Sequence, residues 1–190
     1  MARPTAIALP SRFELATPDT AALAALICVG VATAVATAFV KLHLGISGHA
    51  IVLTVAPTLL GVSLFPRRLA GSTIAASALV TGGALWMAGV GSVGPAALAA
   101  FVATGLLTDV VLARRLTGVA LYAALVVAGL LANVAAFGSH LVEAAVIGVA
   151  AGGKAFAVQI ASYAACGAAA GFLGAVLAFQ LRTRQRTADV

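Results

Sequence analysis

Three histidines and one carboxylate are the side chains in this sequence with the clearest chemistry of their own. His43 and His49 lie six residues apart, and His140 lies three residues before Glu143. Imidazole nitrogens and carboxylate oxygens are ligands for zinc, nickel and cobalt. If residues 140–143 are helical, His140 and Glu143 share a helix face. These four side chains are therefore a candidate metal site, which elemental analysis against a double histidine variant would test.

The stretch from Gly45 to Ala50 reads GISGHA and offers a second chemistry. Two glycines beside Ser47 predict a tight turn with accessible backbone amides at the start of a helix. Such amides can receive an anionic or carbonyl group, and His49 adds a titratable imidazole at the same place. A plain turn with Ser47 as the helix N-cap is the alternative interpretation.

A wider set of polar and aromatic side chains is expected to converge on the same end of the molecule. Its members are Lys41, His43, Ser47, Gly48, His49, Trp86, Asn133, His140 and Gln159. Polar groups that gather at one face of a membrane bundle indicate a binding site open to that side. The alternatives are that the loop residues are simply solvated and that Trp86 is an interface anchor.

Catalysis is a weaker interpretation of the same residues. The GISG segment superficially looks like the serine motif of rhomboid intramembrane proteases, with His140 as a possible base for Ser47. Here, however, the motif follows the first helix rather than a later one, and the histidine of that family within a glycine-rich helical setting is missing. We therefore expect no catalytic residue and no intrinsic cofactor, although reaction of Ser47 with a fluorophosphonate would favour the protease.

The elements that must position these side chains are predicted to be membrane-spanning helices. Hydrophobic residues make up 63% of the 190 residues and charged residues 8%, whereas a soluble domain carries about a quarter charged residues. A helix needs about 20 apolar residues to cross the hydrocarbon core. The predicted spans are 21–40, 49–65, 70–90, 95–112, 118–137 and 155–181. The sequence thus predicts an all-α integral membrane bundle of about six transmembrane helices, with both termini cytoplasmic.

The rest of the chain is divided around that transmembrane domain, which covers residues 21–181. Residues 1–20 are expected to form a cytoplasmic lead-in, and residues 182–190 a basic cytoplasmic tail. Residues 141–153 are apolar but short for a span, so we expect an interfacial or re-entrant piece on the external face. Asp109, near the end of the fourth span, is expected to pair with Arg114 or Arg115.

The basic residues set the predicted orientation. With the N-terminus inside, all nine arginines lie in the cytoplasm and only Lys41 and Lys154 lie outside. This is the bias of the positive-inside rule, and it accounts for the net charge of +6 without nucleic acid. We expect the inner (plasma) membrane as the location and no nucleic-acid partner.

Small residues repeat every four positions on two of the predicted helices. Gly30, Ala34 and Ala38 lie on the first helix, beside Ala32 and Ala36, and Gly167 and Gly171 lie on the sixth. Such spacing stacks small side chains on one face and lets helix backbones approach closely.

Together these features resemble the substrate-binding S components of energy-coupling factor (ECF) transporters. The resemblance is carried by the small size, six helices, the alanine-rich first helix and the segment KLHLGISGHA from Lys41 to Ala50. Pro66-Arg67-Arg68 before the third helix and the segment between the last two helices fit as well. The architecture matches over nearly the whole chain, and the sequence over residues 30–70.

The resemblance implies a membrane-embedded subunit that captures a vitamin-like molecule or a divalent metal ion as substrate from outside. It implies docking on a transmembrane coupling subunit driven by cytoplasmic ATPases, through an AxxxA-type surface that maps onto Ala32 and Ala36 or onto Ala34 and Ala38. The site would lie toward the external side, under the segment from Lys41 to His49. Nickel and cobalt members use a histidine near the N-terminus, and this chain has none there.

A structural subunit of a larger membrane complex is the main alternative, because glycine- and alanine-rich helix faces would serve such contacts equally well. Copurification separates the two hypotheses. ATPase partners favour transport, and redox or synthase partners favour a scaffold.

Overall fold

The computed structural model describes residues 20–40, 47–146 and 154–188, with the side chains of the last stretch described from 156 to 178. The helices are α1 (Thr20–Phe39), α2 (Val52–Leu64, preceded by a 3-10 turn at His49–Ile51), α3 (Ala70–Met87), α4 (Pro95–Ala113), α5 (Gly118–Val146) and α6 (Lys154–Ala188). No strand occurs in these ranges. The predicted all-α bundle of six helices is confirmed.

Five of the six helices are long and apolar enough to cross a membrane, and α2 is the shorter exception. Its 13 residues rise only about 20 Å, less than the roughly 30 Å of hydrocarbon in a bilayer. Large apolar side chains cover the outside of the bundle, among them Val80, Met87, Val119 and Val158. A surface of this kind suits lipid, and the chain has the character of a multi-pass membrane protein.

The helices form a closed ring in the order α1, α3, α4, α5, α6 and α2, and α2 also reaches across to α3 and α4. Nearly half of α2 is buried, including Val55, Leu59 and Val62. Because protein surrounds it, α2 does not need the length of a lipid-spanning helix. The same surroundings accommodate Pro57 inside the helix. Proline has no backbone N–H, so a carbonyl one turn earlier lacks its donor, which would be costly in lipid.

Glycines set the separation of α5 from α6. A Cβ added at Gly129 would lie 2.5 Å from the carbonyl oxygen of Gly167 and 3.0 Å from the Cα of Gly171. The two backbones are therefore in direct contact, which no larger residue permits. The small residues predicted on the sixth helix are used for packing within the bundle.

The small residues of α1 are divided between two faces. Gly30, Ala34 and Ala38 are buried, and Gly30 lies against the α3 backbone at Ile74 and Ala78. Ala32 is exposed and Ala36 is half-buried. Of the two pairs considered for partner docking, Ala34 and Ala38 are therefore enclosed by the bundle, and Ala32 is on its outer surface.

Asp109 on α4 caps the N-terminus of α3. Its carboxylate oxygens accept from the backbone N–H of Gly71 at 2.9 Å and from that of Ser72 at 2.7 Å, and the Ser72 hydroxyl also donates to it. These amides have no partner within their own helix, and a negative charge is favourable at that end. Among the described residues these are its partners, in place of the expected Arg114 or Arg115.

This cap also shows that two arginine-bearing connections share one end of the bundle. Asp109 lies near the end of α4, just before Arg114 and Arg115, and its partners lie just after Arg67 and Arg68. We call this the arginine end. At the opposite end the backbone N–H of Ser92 donates to the carbonyl of Ala38 at 3.0 Å and so caps the C-terminus of α1.

The helix boundaries differ from prediction mainly after the fifth predicted span. α5 continues past Phe137 to Val146, so the first six residues of the segment predicted to be an interfacial or re-entrant piece extend the fifth helix without a break. Leucine, valine, glutamate and alanine at 141–146 propagate a helix, with no glycine or proline to end it. Residues 147–153 lie outside the described residues, as do residues 1–19 and the side chains of the arginines at 182, 184 and 186.

The α5–α6 contact gives a prediction with a matched control. Gly129→Ala should lower stability by about 1–3 kcal/mol, because the new methyl group meets backbone rather than a flexible side chain. Gly138→Ala on the same helix meets nothing within 4 Å and should be neutral or stabilising, since alanine favours helix. Reversible unfolding in mixed micelles, followed by the fluorescence of the single tryptophan, measures both. Equal midpoints for the two variants would contradict the close contact.

Candidate functional site

At the end of the bundle opposite the arginine end, the residues that precede α2 are fastened to α5 and α6. The side-chain Nδ2 of Asn133 donates to the carbonyl oxygen of Gly48 at 3.0 Å and to that of Tyr163 at 2.7 Å. The hydroxyl of Ser162 donates to the carbonyl oxygen of Ser47 at 2.8 Å. We call these three hydrogen bonds the Gly48 tether. They join three separate parts of the chain at one point.

Gly48 is required at the tether for two reasons. Its φ of 83° lies in the left-handed region, where a side chain is disfavoured. A Cβ there would also lie 2.9 Å from Nδ2 of Asn133 and 3.0 Å from Cα of Tyr163. The glycine therefore lets the backbone turn into α2 while its carbonyl lies against α5 and α6.

Asn133, whose side-chain amide makes two of the three hydrogen bonds of the tether, is buried, with 2% of its surface exposed. A buried amide without partners costs about 1–3 kcal/mol, so its two N–H groups need acceptors. Both acceptors are backbone carbonyls on other segments. Asn133 thus makes the position of the residues before α2 depend on the crossing of α5 with α6.

Aromatic rings lie directly beside the tether. The Phe137 ring centroid is 4.9 Å from that of Tyr163 and 5.6 Å from that of Phe156, and His140 meets Tyr163 edge-on at 6.4 Å. We call Phe137, His140, Phe156 and Tyr163 the aromatic cluster. Such rings can pack against a planar ligand, while imidazole and phenol groups can exchange hydrogen bonds with it.

The structure brings together about half of the site predicted from sequence. Ser47, Gly48, Asn133 and His140 meet at the tether and the aromatic cluster, and half-buried His49 follows Gly48 directly. Lys41 and His43 lie outside the described residues.

Of the other predicted residues, Trp86 lies apart from this group and Gln159 lies at its edge. Trp86 is 49% exposed near the end of α3, a helix that packs on α1 and α4, as expected for an interface anchor. Gln159 is exposed on α6, three residues after Phe156 and four before Tyr163, so it lies at the edge of the aromatic cluster.

The predicted metal ligands are joined only in part. Nδ1 of His140 lies 3.7 Å from Oε2 of Glu143, and both side chains are exposed. Within the described residues no three histidine, cysteine, aspartate or glutamate side chains are grouped closely enough to hold a metal ion. His43 is outside those residues, and His49 directly follows Gly48 on the 3-10 turn before α2.

No protein-family model, no curated protein and no solved structure matches the chain. The geometry at this end of the bundle is therefore the basis for a functional proposal. The tether and the aromatic cluster are its two components.

Sequence reasoning missed Ser162, Tyr163 and the two phenylalanines of the aromatic cluster. The signal was present in their spacing. Asn133, Phe137 and His140 follow one another at four and three residues, which places them on one face of α5. Phe156 and Tyr163 are similarly seven residues apart on α6. Two facing helices that carry polar and aromatic residues at this spacing indicate a shared cluster.

The tether predicts a specific effect of a small substitution. Gly48→Ala should release the residues before α2, because its methyl group collides with Asn133 and Tyr163 and its φ is unfavourable. Gly118→Ala is the matched control, since Gly118 also has a positive φ of 56° but nothing within 4 Å of an added Cβ. Hydrogen exchange of the backbone amides at residues 47–52 should accelerate at least tenfold in Gly48→Ala alone. Equal acceleration in both variants would attribute the effect to backbone strain and not to the tether.

Proposed function

We propose that the chain is the membrane-embedded solute-binding subunit of an ECF-type uptake transporter, which captures a vitamin-like small molecule or a metal ion from the external side. The observation that supports this most directly is the Gly48 tether. It holds Ser47 and Gly48, the described residues directly before α2, against α5 and α6 and beside the aromatic cluster. Residues fastened by a few hydrogen bonds beside a polar and aromatic cluster are suited to moving away for a ligand and returning behind it.

The tether gives that opening a chemical basis. Each of its hydrogen bonds ends on a backbone carbonyl of Ser47, Gly48 or Tyr163, which a ligand carbonyl can replace. A ligand that accepts from Asn133 would exchange one hydrogen bond for another, so opening costs little net free energy. The rings of Phe137 and Tyr163 would then cover its apolar face. His49, which follows Gly48, and His140 of the aromatic cluster would supply polar contacts.

The orientation of the proposed subunit follows from the arginines. The connections at the arginine end carry Arg67, Arg68, Arg114 and Arg115. Connections rich in arginine are retained on the cytoplasmic side of the inner membrane. The Gly48 tether would then face outward, and both termini would face inward. This placement gives the site access to external solute.

The outer face of α1 supports docking on a coupling subunit. Ala32 is exposed there, Ala36 is half-buried, and Val31 and Val35 flank them. Small side chains on an otherwise apolar face permit close approach of a partner helix in the membrane. The sequence has no phosphate-binding GxxxxGK[ST] loop, so cytoplasmic ATPase subunits would hydrolyse ATP.

The scaffold alternative loses part of its support from the same packing. The small-residue faces at Gly30 on α1 and at Gly167 and Gly171 on α6 contact neighbouring helices of this chain. They are therefore not available for other subunits. Small side chains that remain exposed in the described part of the chain include Ala32 on α1, and Ala157, Ala161, Ala165 and Ala169 at four-residue spacing on α6.

Ligand retention tests the proposed function. Native mass spectrometry of the protein released from nanodiscs should find a co-purified small molecule or metal ion, together with coupling and ATPase subunits when extraction is gentle. His49→Ala and His140→Ala should weaken retention about tenfold, as expected for loss of one or two polar contacts. Val119→Ala, at an exposed position near the arginine end, is the control. Equal binding of candidate solutes by all three variants, or redox or synthase partners in the complex, would count against the proposal.

The orientation is testable separately. In a background of Cys28→Ala and Cys166→Ala, a membrane-impermeant maleimide should label Val90→Cys from outside intact cells and leave Thr117→Cys unlabelled. Both positions are exposed, so accessibility alone does not distinguish them. Lysed cells should label at both positions. Labelling of Thr117→Cys alone in intact cells would reverse the orientation and place the tether inside.

A further inference from the structure

The arginine end carries more positive charge than the described residues around it neutralise. Its two connections, residues 65–69 and 114–117, each contain two adjacent arginines. Of the two carboxylates in the described part of the chain, Glu143 lies at the opposite end beside His140. The other, Asp109, already accepts three hydrogen bonds from the start of α3. An excess of like charge on one surface attracts ions of the opposite sign.

The crossing of α3 with α4 brings the two arginine pairs to one place. A Cβ added at Gly105 would lie 2.5 Å from the carbonyl oxygen of Gly71, so the two backbones are in contact there. Arg68 lies three residues before Gly71, and Arg114 lies five residues after Asp109, about 8 Å along α4. Because Asp109 binds the Gly71 amide, both arginines extend in the same direction from one contact.

The two connections are short turns that hold the arginines near this crossing. Within the described residues, the non-glycine positions with a positive φ are Leu69, at 62°, and Arg115, at 52°. A residue with a side chain adopts this backbone only rarely, and it persists where the surrounding structure fixes it. Both positions adjoin the α3–α4 crossing. Arg68, Arg114 and Arg115 are all exposed and are therefore presented together at the surface.

An apolar row on the outside of α4 leads to these arginines. Val102, Leu106 and Val110 precede Arg114 at four-residue spacing and so follow one side of the helix. They are 37%, 53% and 53% exposed. Leu69, in the other connection, is 59% exposed. The surface thus combines a cationic end with an aliphatic row that continues from it into the membrane.

We propose that the exposed arginines of the arginine end bind the phosphate headgroup of an anionic phospholipid, whose acyl chains lie along α4. A guanidinium group can donate two parallel hydrogen bonds to a phosphate, and basic groups between transmembrane helices recognise such headgroups. A soluble anion would contact the arginines alone, whereas a phospholipid also covers Leu106 and Val110. The inference concerns the membrane surface of the bundle and does not depend on the proposed transport function.

Selective lipid retention tests the site. Native mass spectrometry of the protein, released from phosphatidylcholine nanodiscs that contain a minority of phosphatidylglycerol, should find phosphatidylglycerol retained in preference to phosphatidylcholine. In the combined variant Arg68→Gln, Arg114→Gln and Arg115→Gln, this retention should fall by about tenfold or more, because each arginine near the surface contributes to the attraction. Unchanged retention in the variant would overturn the proposal.

A matched control separates this site from general attraction by positive charge. The variant Arg182→Gln, Arg184→Gln and Arg186→Gln removes the same charge from the C-terminal tail and should retain phosphatidylglycerol as the wild type does. An equal loss in both variants would overturn the proposal. Inorganic phosphate added before release should not displace the lipid. Displacement by inorganic phosphate would show that the arginines bind a free anion, and would also overturn it.

The wild-type chain provides a test that needs no substitution. Phosphatidylglycerol with a photoreactive diazirine on its headgroup should crosslink mainly to residues 65–69 and 114–117, as located by mass spectrometry of the digested protein. The same group on phosphatidylcholine should label these residues at least fivefold less. Crosslinks spread evenly over both ends of the bundle, or equal labelling by the two lipids, would contradict a specific headgroup site.

Discussion

Close contact between helix backbones is the constraint on which the rest of this structure depends. In lipid the hydrophobic effect does not drive one helix against another, so association relies on packing and on a few polar contacts. Gly129 against Gly167, and Gly30 against the α3 backbone, supply that packing. The same crossings bring α5 and α6 near enough for one asparagine side chain to bridge them. A wider separation would leave the Asn133 amide without its second carbonyl.

Polar side chains add hydrogen bonds to the close helix contacts that the glycines permit. Each of them bonds to backbone groups that lack a partner in their own segment. Asp109 satisfies the first amides of α3, and Ser92 satisfies the last carbonyls of α1. Asn133 serves the segment before α2. The first two contacts join regular helix ends, whereas the third fastens an irregular segment. This difference is why the Gly48 tether is the better candidate for a movable part, since its hydrogen bonds can be exchanged for those of a ligand without unfolding a helix.

The short α2 connects the Gly48 tether to the interior of the bundle. It packs against α1, α3, α4 and α6, begins directly after the tether, and buries Val55 and Leu59 in the interior of the bundle. A shift of Gly48 away from Asn133 would therefore act on a helix that touches the interior of the bundle. The tether is thus linked through α2 to the packing in the middle of the bundle.

The sequence by itself determined the all-α class, the approximate helix positions and the need for an apolar environment, because these follow from local composition and from the length of apolar runs. It also identified Gly48, Asn133 and His140 as members of one group, since alternating spans place them at one end. Tertiary structure decided which glycine faces which backbone, that Asp109 caps α3 and does not pair with Arg114 or Arg115, and that Trp86 lies outside the group. It also supplied Ser162 and Tyr163. These depend on the rotation of each helix about its own axis, which hydropathy cannot specify when almost every face of a helix is apolar.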